Sequence, residues 1–447
     1  MQTERAYIDL FRQYETIIRN SCGDLINNPR QPAMEAFEKN GFPTTHLEAY
    51  RECDLQKKLS RDYGLNLNRV HIPVNPHEVF SCDVPNLSTR LFFIINDQFY
   101  KGEKSANLPE GIYCGSLNEF SRTHADLLKP YYASLSANSS DGMVAFNTGF
   151  IQDGYVLYVP AHVRLEKPVQ IIQVLTAPED ILVQRRVLVI LEKEAHARLL
   201  FCDHTLSSGH HFANQVSELF LGDGASLEYY ELEMSHLDTT RVNNTFVLLG
   251  KRSNLLFNGV TLSNGFSRNT INVRFNGENA EANLSGIVLG EQTQQTDNHI
   301  LVDHAVPYCT SNQLFKYVLD DAARAVFGGS IIVRKDAQKT SAYQSNKNLC
   351  SKNARMFAKP QLEIYADDVI CSHGSATGQM DEKALFYMRS RGISESEARL
   401  LLKYAFTSDV IEKISLEPLR DRMRMLIEKR FRGELARCAG CAAANCN

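Results

Sequence analysis

Four short segments of this chain restart in the same way. Ala195-His-Ala-Arg-Leu, Ala225-Ser-Leu-Glu, Ser253-Asn-Leu-Leu and Ala280-Glu-Ala-Asn-Leu each follow a turn and open an alternating strand. By subtraction, their starts lie 30, 28 and 27 residues apart. A loose period in this range, with strands and no helix, marks a stacked β architecture. One coil cannot bury its apolar face alone, so neighbours stack and share a core. Earlier strands, Gly154-Tyr-Val-Leu-Tyr-Val-Pro160 and Pro168-Val-Gln-Ile-Ile-Gln-Val-Leu175, carry Pro or Gly at their edges. Alternation alone would suit an antiparallel sandwich as well as a parallel solenoid over residues 150–370.

The flanks read differently. Residues 1–140 look mainly helical. Ala6, Leu10, Phe11, Tyr14, Ile17 and Ile18 form an amphipathic stripe, and Gly41-Phe42-Pro43 closes a helix. A small strand pair is expected at 89–94 and 98–100, around Asn96-Asp97. The Ser-, Ala- and Asn-rich stretch 131–142 marks a boundary, with the β core at 141–370. A helical part follows at 371–432. There Ser394-x-x-Glu397 is a capping box, and Ala398, Leu401, Leu402, Ala405 and Phe406 make an apolar face. Leu419, Met423, Leu426, Ile427 and Phe431 line a second helix, expected to help cap the end of the solenoid.

Composition narrows the function. The formal net charge is -4, without a dense basic block, so nucleic acid is not expected as a partner. No window approaches 18 uncharged apolar residues, and the N-terminus lacks a signal-peptide pattern. A cytoplasmic location is therefore expected, with most of the eleven cysteines reduced and structural. There is no G-x-x-x-x-G-K-[ST] loop for ATP and no dinucleotide fingerprint for a flavin.

The most chemically suggestive run is 361–392, where strand period gives way to helix period around Cys371-Ser372-His373-Gly374. It reads as a flexible turn. If the strand continued, Cys371 and His373 would share a face and could hold a metal or a cluster edge. They could also form a thiolate–imidazole nucleophile pair. Or Cys371 is a small buried hydrophobe, and His373 bonds a turn carbonyl.

The whole run resembles the SufB/SufD family of the SUF iron–sulfur cluster assembly machinery, and the SufD branch in particular. The resemblance rests on P-Q-L-E-I at Pro360–Ile364, A-D-D-V at Ala366–Val369, C-S-H-G at Cys371–Gly374, Gly378-Gln379, Asp381-Glu382, and A-L-F-Y-x-R-S-R-G-I at Ala384–Ile393. Runs at 304–311, 327–333 and 337–344 also look like the SufB/SufD core, and 41–51 like the SufD N-terminal segment. Ser375-Ala376-Thr377 stand where the family more often has Ala-Thr-Val. SufB chains usually have E-H-E-A in place of C-S-H-G and a longer N-terminal region.

This resemblance implies a right-handed parallel β-helix flanked by helical regions. It implies a non-enzymatic scaffold that pairs with a SufB-like paralogue through the solenoids and binds the SufC ATPase through its C-terminal helices. A transient iron–sulfur cluster would be shared with SufB, and ATP would act only through SufC. In isolation the chain could form a homodimer. His373 is the first candidate cluster ligand and Cys371 the second. Leu401, Leu402, Ala405 and Phe406 are the candidate SufC-binding residues. The polar residues Gln338, Lys339 and Gln344 read as an exposed sheet face or a stacked amide ladder, or as a polar lane for sulfur or iron. The tail 433–447 carries Cys438, Cys441 and Cys446, whose spacing suits zinc or a cluster. It also suits a reduced, flexible tail.

Overall fold

The repeat is realised as a two-sheet solenoid. The computed structural model describes residues 2–69, 84, 87–100 and 108–434. From Tyr155 to Gly378 successive strands go alternately to one sheet and then the other. The sheets have ten and nine strands, and the core makes about eight turns. Within the repeating part, neighbours run parallel and in register. Ala197, Leu227, Leu255, Ala282, Ser311, Ala342 and Cys371 form one such column across seven coils. Every second side chain points inward, and the stacked columns build one continuous apolar core.

The corners explain why the period is loose but the stacking is not. Glu194, Arg252, Asn279, Tyr308 and Lys339 have positive φ between 54° and 60°, and Gly224 takes the same place in its coil. Left-handed backbone costs about 1 kcal/mol or more for a residue with a Cβ. Inter-coil hydrogen bonds hold it. Glu194 N–H donates to the Asp223 carbonyl at 2.8 Å, Gly224 to Lys251 at 2.7 Å, and Arg252 to Glu278 at 2.9 Å. The small residue that follows each corner is buried: Ala195, Ala225, Ser253, Ala280, Cys309 and Thr340. The restarts seen in the sequence are these corners.

Two antiparallel pairings start the sheets. Arg90–Ile95 pairs with Gln98–Tyr100 around Asn96, and Tyr113–Ser116 pairs with Tyr155–Val159. The N-terminal helices Gln2–Asn20, Arg30–Asn40 and Gly142–Phe150 cover the outer face of the nine-stranded sheet. Phe11, Phe37, Phe42 and Phe146 pack there with Leu182, Phe212 and Phe266. Tyr50 stacks under the Arg268 guanidinium at 3.6 Å and donates to Asp141 at 2.5 Å.

The C-terminal helices depart from expectation. Glu395–Ile411 and Glu417–Phe431 lie on the outer face of the ten-stranded sheet and do not cap the end of the solenoid. The outward positions of that sheet, such as Leu200, Leu232, Val260 and Ile287, are apolar and need cover. Val410, Ile411, Leu419, Met423, Leu426 and Ile427 supply it. The final strand of each sheet, Arg355–Ile364 and Ile370–Gly378, keeps a free edge among the described residues.

The interior also holds charge. Arg185 pairs with Asp203 at 2.9 Å, and Arg241 bridges Asp203 at 2.9 Å and Glu233 at 3.2 Å. Glu231 faces a cavity of about 30 Å³ beside Gly259 and Gly286, and burial pushes its carboxyl up to about 7. Such a network favours one register over others, because a shift would strand a buried charge.

Candidate functional site

The last coil decides the chemistry of the C-S-H-G run. It is a strand, Ile370–Gly378, and the next helix, Glu382–Ser390, begins only after Asp381 caps it. The turn expected from the small residues is therefore extended backbone, fixed by parallel pairing with Ser341–Cys350. The solenoid takes in residues that the sequence reading placed in the helical part. Cys371, His373, Ser375 and Thr377 continue the four inward columns. With no coil above them among the described residues, the inward face becomes the open end of the solenoid. His373 is exposed there, and Cys371 is half-buried against the core.

The column contents change as the end is approached. Beneath His373 lie Gln344, then Gln313, then the apolar Leu284, Phe257 and Tyr229. Gln344 Nε2 donates to Gln313 Oε1 at 3.0 Å, so the amide ladder is present. Beneath Ser375 and Thr377 lie Asn346 and Asn348. Ser375 Oγ donates to Asn346 Oδ1 at 3.1 Å, and Asn348 Nδ2 to Thr377 Oγ1 at 3.0 Å. Met356 and Leu362 form part of the facing wall. Gly329 in the coil below leaves room for this amide, since a Cβ there would come within 2.3 Å of Gln344 Nε2 and the side chain would have to shift. Gln338 and Lys339 sit at an exposed corner instead, where Lys339 pairs with Asp368.

Electrostatics separate the two candidate ligands. Burial raises the Cys371 thiol above its ordinary value, against a backbone hydrogen bond at Ala342. The thiol is neutral at physiological pH until a metal displaces its proton. Burial holds Cys350 up as well, to about 11. Cys371 and His373 project from the same strand face about 6.6 Å apart along the chain. Two donors at that spacing suit adjacent irons of a cluster edge or a shared ion. No hydrogen bond joins the two side chains, so no nucleophile pair is assembled. Among the described residues, no set of three or more His, Cys, Asp or Glu side chains converges as a metal site. All seven described cysteines are free thiols.

The candidate partner-binding residues divide. Leu401 and Ala405 face solvent, and Leu402 is half-buried. Phe406 packs on the sheet under the Lys316 ammonium, whose Nζ donates to the Phe406 carbonyl at 2.7 Å. Phe386 and Tyr387, 74% and 59% exposed, are larger exposed side chains on the preceding helix, with the Arg391 guanidinium over the Tyr387 ring, and sequence reasoning did not single them out for docking. Leu385 takes the buried side of that helix. Cys438, Cys441 and Cys446 lie outside the described residues.

Residues 174–406, more than half of the chain, match the family model for the SUF system FeS cluster assembly SufBD core domain. The chain belongs to the SufBD family. Residues 1–171 match the SufBD N-terminal region. This SufBD chain is 29% identical over 433 residues to the iron–sulfur cluster assembly SufBD family protein slr0076 of Synechocystis, with 93% of each covered. It is 31% identical over 230 residues to iron–sulfur cluster assembly protein SufD of Escherichia coli, covering 51% of this chain and 54% of that protein. It is 27% identical over 331 residues to SufD of Bacillus subtilis, covering 72% and 75%. SufBD membership places it in iron–sulfur cluster assembly. No helix among its described residues is long and apolar enough to cross a membrane.

Proposed function

We propose that this chain is a SufD-type scaffold subunit. It pairs end to end with a SufB-like paralogue, and the nascent iron–sulfur cluster forms where the two solenoids meet. The observation that carries this is the open last coil. It combines free strand edges, exposed Ile364, Tyr365 and Ile370, and two soft or borderline donors on one face. A free parallel edge with apolar side chains is suited to continuing a sheet with another chain. Two donors are too few for a cluster, which takes about four ligands, so a partner completing the set fits the chemistry. Imidazole binds iron less firmly than thiolate, which favours a cluster that must leave.

The C-terminal helices serve as the docking platform for a SufC-type ATPase. Phe386, Tyr387 and Leu401 are the exposed anchors. ATP-driven closure of the ATPases would then shift the population of interface states and open the assembly site. The chain acts in the cytoplasm as scaffold rather than enzyme. C-S-H-G at 371–374 supports the SufD branch over SufB. The test is anaerobic affinity purification of the tagged chain from its host, with iron, sulfide and co-purifying proteins measured together. An ATPase and a SufB-like chain with iron and sulfide are expected. A lone, metal-free chain at low salt would overturn the proposal.

A further inference from the structure

The open end contains one buried acceptor without a partner beside two bridged pairs. Register partners Ser375 and Asn346 are joined by a hydrogen bond, as are Thr377 and Asn348. The third pair is His373 and Gln344, and there Gln344 Oε1 is buried without a partner. Gln344 is only 3% exposed. Its Nε2 is already committed downward to Gln313, and Gly329 on the facing sheet gives the amide its room. The Gln313–Gln344 pair thus holds a buried acceptor without a donor one coil beneath an imidazole, and Gln313 Nε2 below it lacks a partner as well. A desolvated carbonyl without a donor is unfavourable, so the site favours any side chain that supplies one.

We infer that Gln344 is a positioning residue for His373. One ring N–H of His373 donates to Gln344 Oε1, which fixes the neutral tautomer and turns the other, unprotonated nitrogen outward. A histidine that binds metal commonly donates its second nitrogen to such an acceptor, which orients the ring and raises its basicity. The inference rests on the reading of His373 as a ligand, and the two can fail separately.

The test is 15N-histidine NMR of the metal-free chain, with the His373 signal identified by its loss in His373→Gln. In wild type one neutral tautomer should dominate. Gln344→Leu should give mixed tautomers. Gln344→Glu keeps an acceptor, so it should keep one dominant tautomer. In the complex purified with its partners and reconstituted with ferrous iron and sulfide, Gln344→Leu should hold about ten-fold less iron, with rescue by Gln344→Glu. A His373 signal unchanged in both Gln344 variants overturns the positioning role, whatever the iron content. If the NMR changes appear but His373→Gln holds as much iron as wild type, the contact stands and the ligand reading falls.

Discussion

His373 and Cys371 point the same way from one strand, yet they offer iron different things. His373 is exposed at the lip of the solenoid, and Cys371 is a half-buried thiol that burial keeps protonated. Cys371→Ser should therefore lower bound iron less than about two-fold, because the thiol is only the secondary ligand. It should cost about 1 kcal/mol of stability from the apolar contact replaced. Iron content and a thermal melt of the same sample check both. Asp297 lies fully buried under the N-terminal region, near Arg268, Arg324 and Glu52, with Gln295 Nε2 donating to it at 3.2 Å. Burial raises its carboxyl from 3.8 to about 7. A raised carboxyl is favoured in its protonated form, so its contribution is full below about pH 4 and is lost as pH rises toward about 7. Asp297→Asn should melt higher than wild type at pH 8, and the difference should vanish near pH 4. Melting curves across that range measure it, and a constant difference would exclude the mechanism.

At the scale of elements, the C-terminal helices have two faces with separate work. Leu426 is buried against the outer sheet face, and Leu426→Ala should cost about 2–5 kcal/mol by leaving a cavity. Phe386→Asp, on an exposed position, should change stability by no more than about 0.5 kcal/mol yet lose the ATPase in co-purification. Thermal melts paired with pull-downs separate the two effects. Retention of the ATPase by Phe386→Asp would remove that helix from the docking surface. The sequence carries the N-cap half of the expected capping box: Ser394 Oγ accepts from the Glu397 N–H at 3.3 Å, while the Glu397 carboxylate pairs with Arg432. It also carries the Leu419–Phe431 stripe. It does not say what that stripe covers. The strands beneath are apolar on both faces, so their pattern reads as continuous and points to no particular helix. Leu401, Leu402, Ala405 and Phe406 share one apolar face with Ala398 in the sequence, and spacing alone does not say which of them the sheet covers. The face that is buried runs through Leu400, Thr407, Val410 and Ile411.

At the scale of the whole molecule, the stacked β period was legible because its corners repeat, while the choice of a parallel solenoid over a sandwich came from the family resemblance. A small residue is buried after each corner, and those residues set the period. The left-handed residues before them escaped notice, since Glu194, Arg252, Asn279, Tyr308 and Lys339 carry no glycine-like signal. The site was only partly legible. Cys371 and His373 could be named, but Gly374 and Gly378 made a turn plausible, and only pairing with the preceding coil fixes them as strand. The polar floor was visible as alternation through Gln344, Asn346 and Asn348, but its inward direction needed the register. The central claim is that the open end holds the nascent cluster through His373. The direct measurement is iron and acid-labile sulfide per complex, in wild type and His373→Ala purified anaerobically with their partners. The account predicts intact partner stoichiometry and a marked fall in both iron and sulfide. Equal iron and sulfide in the two complexes would contradict it.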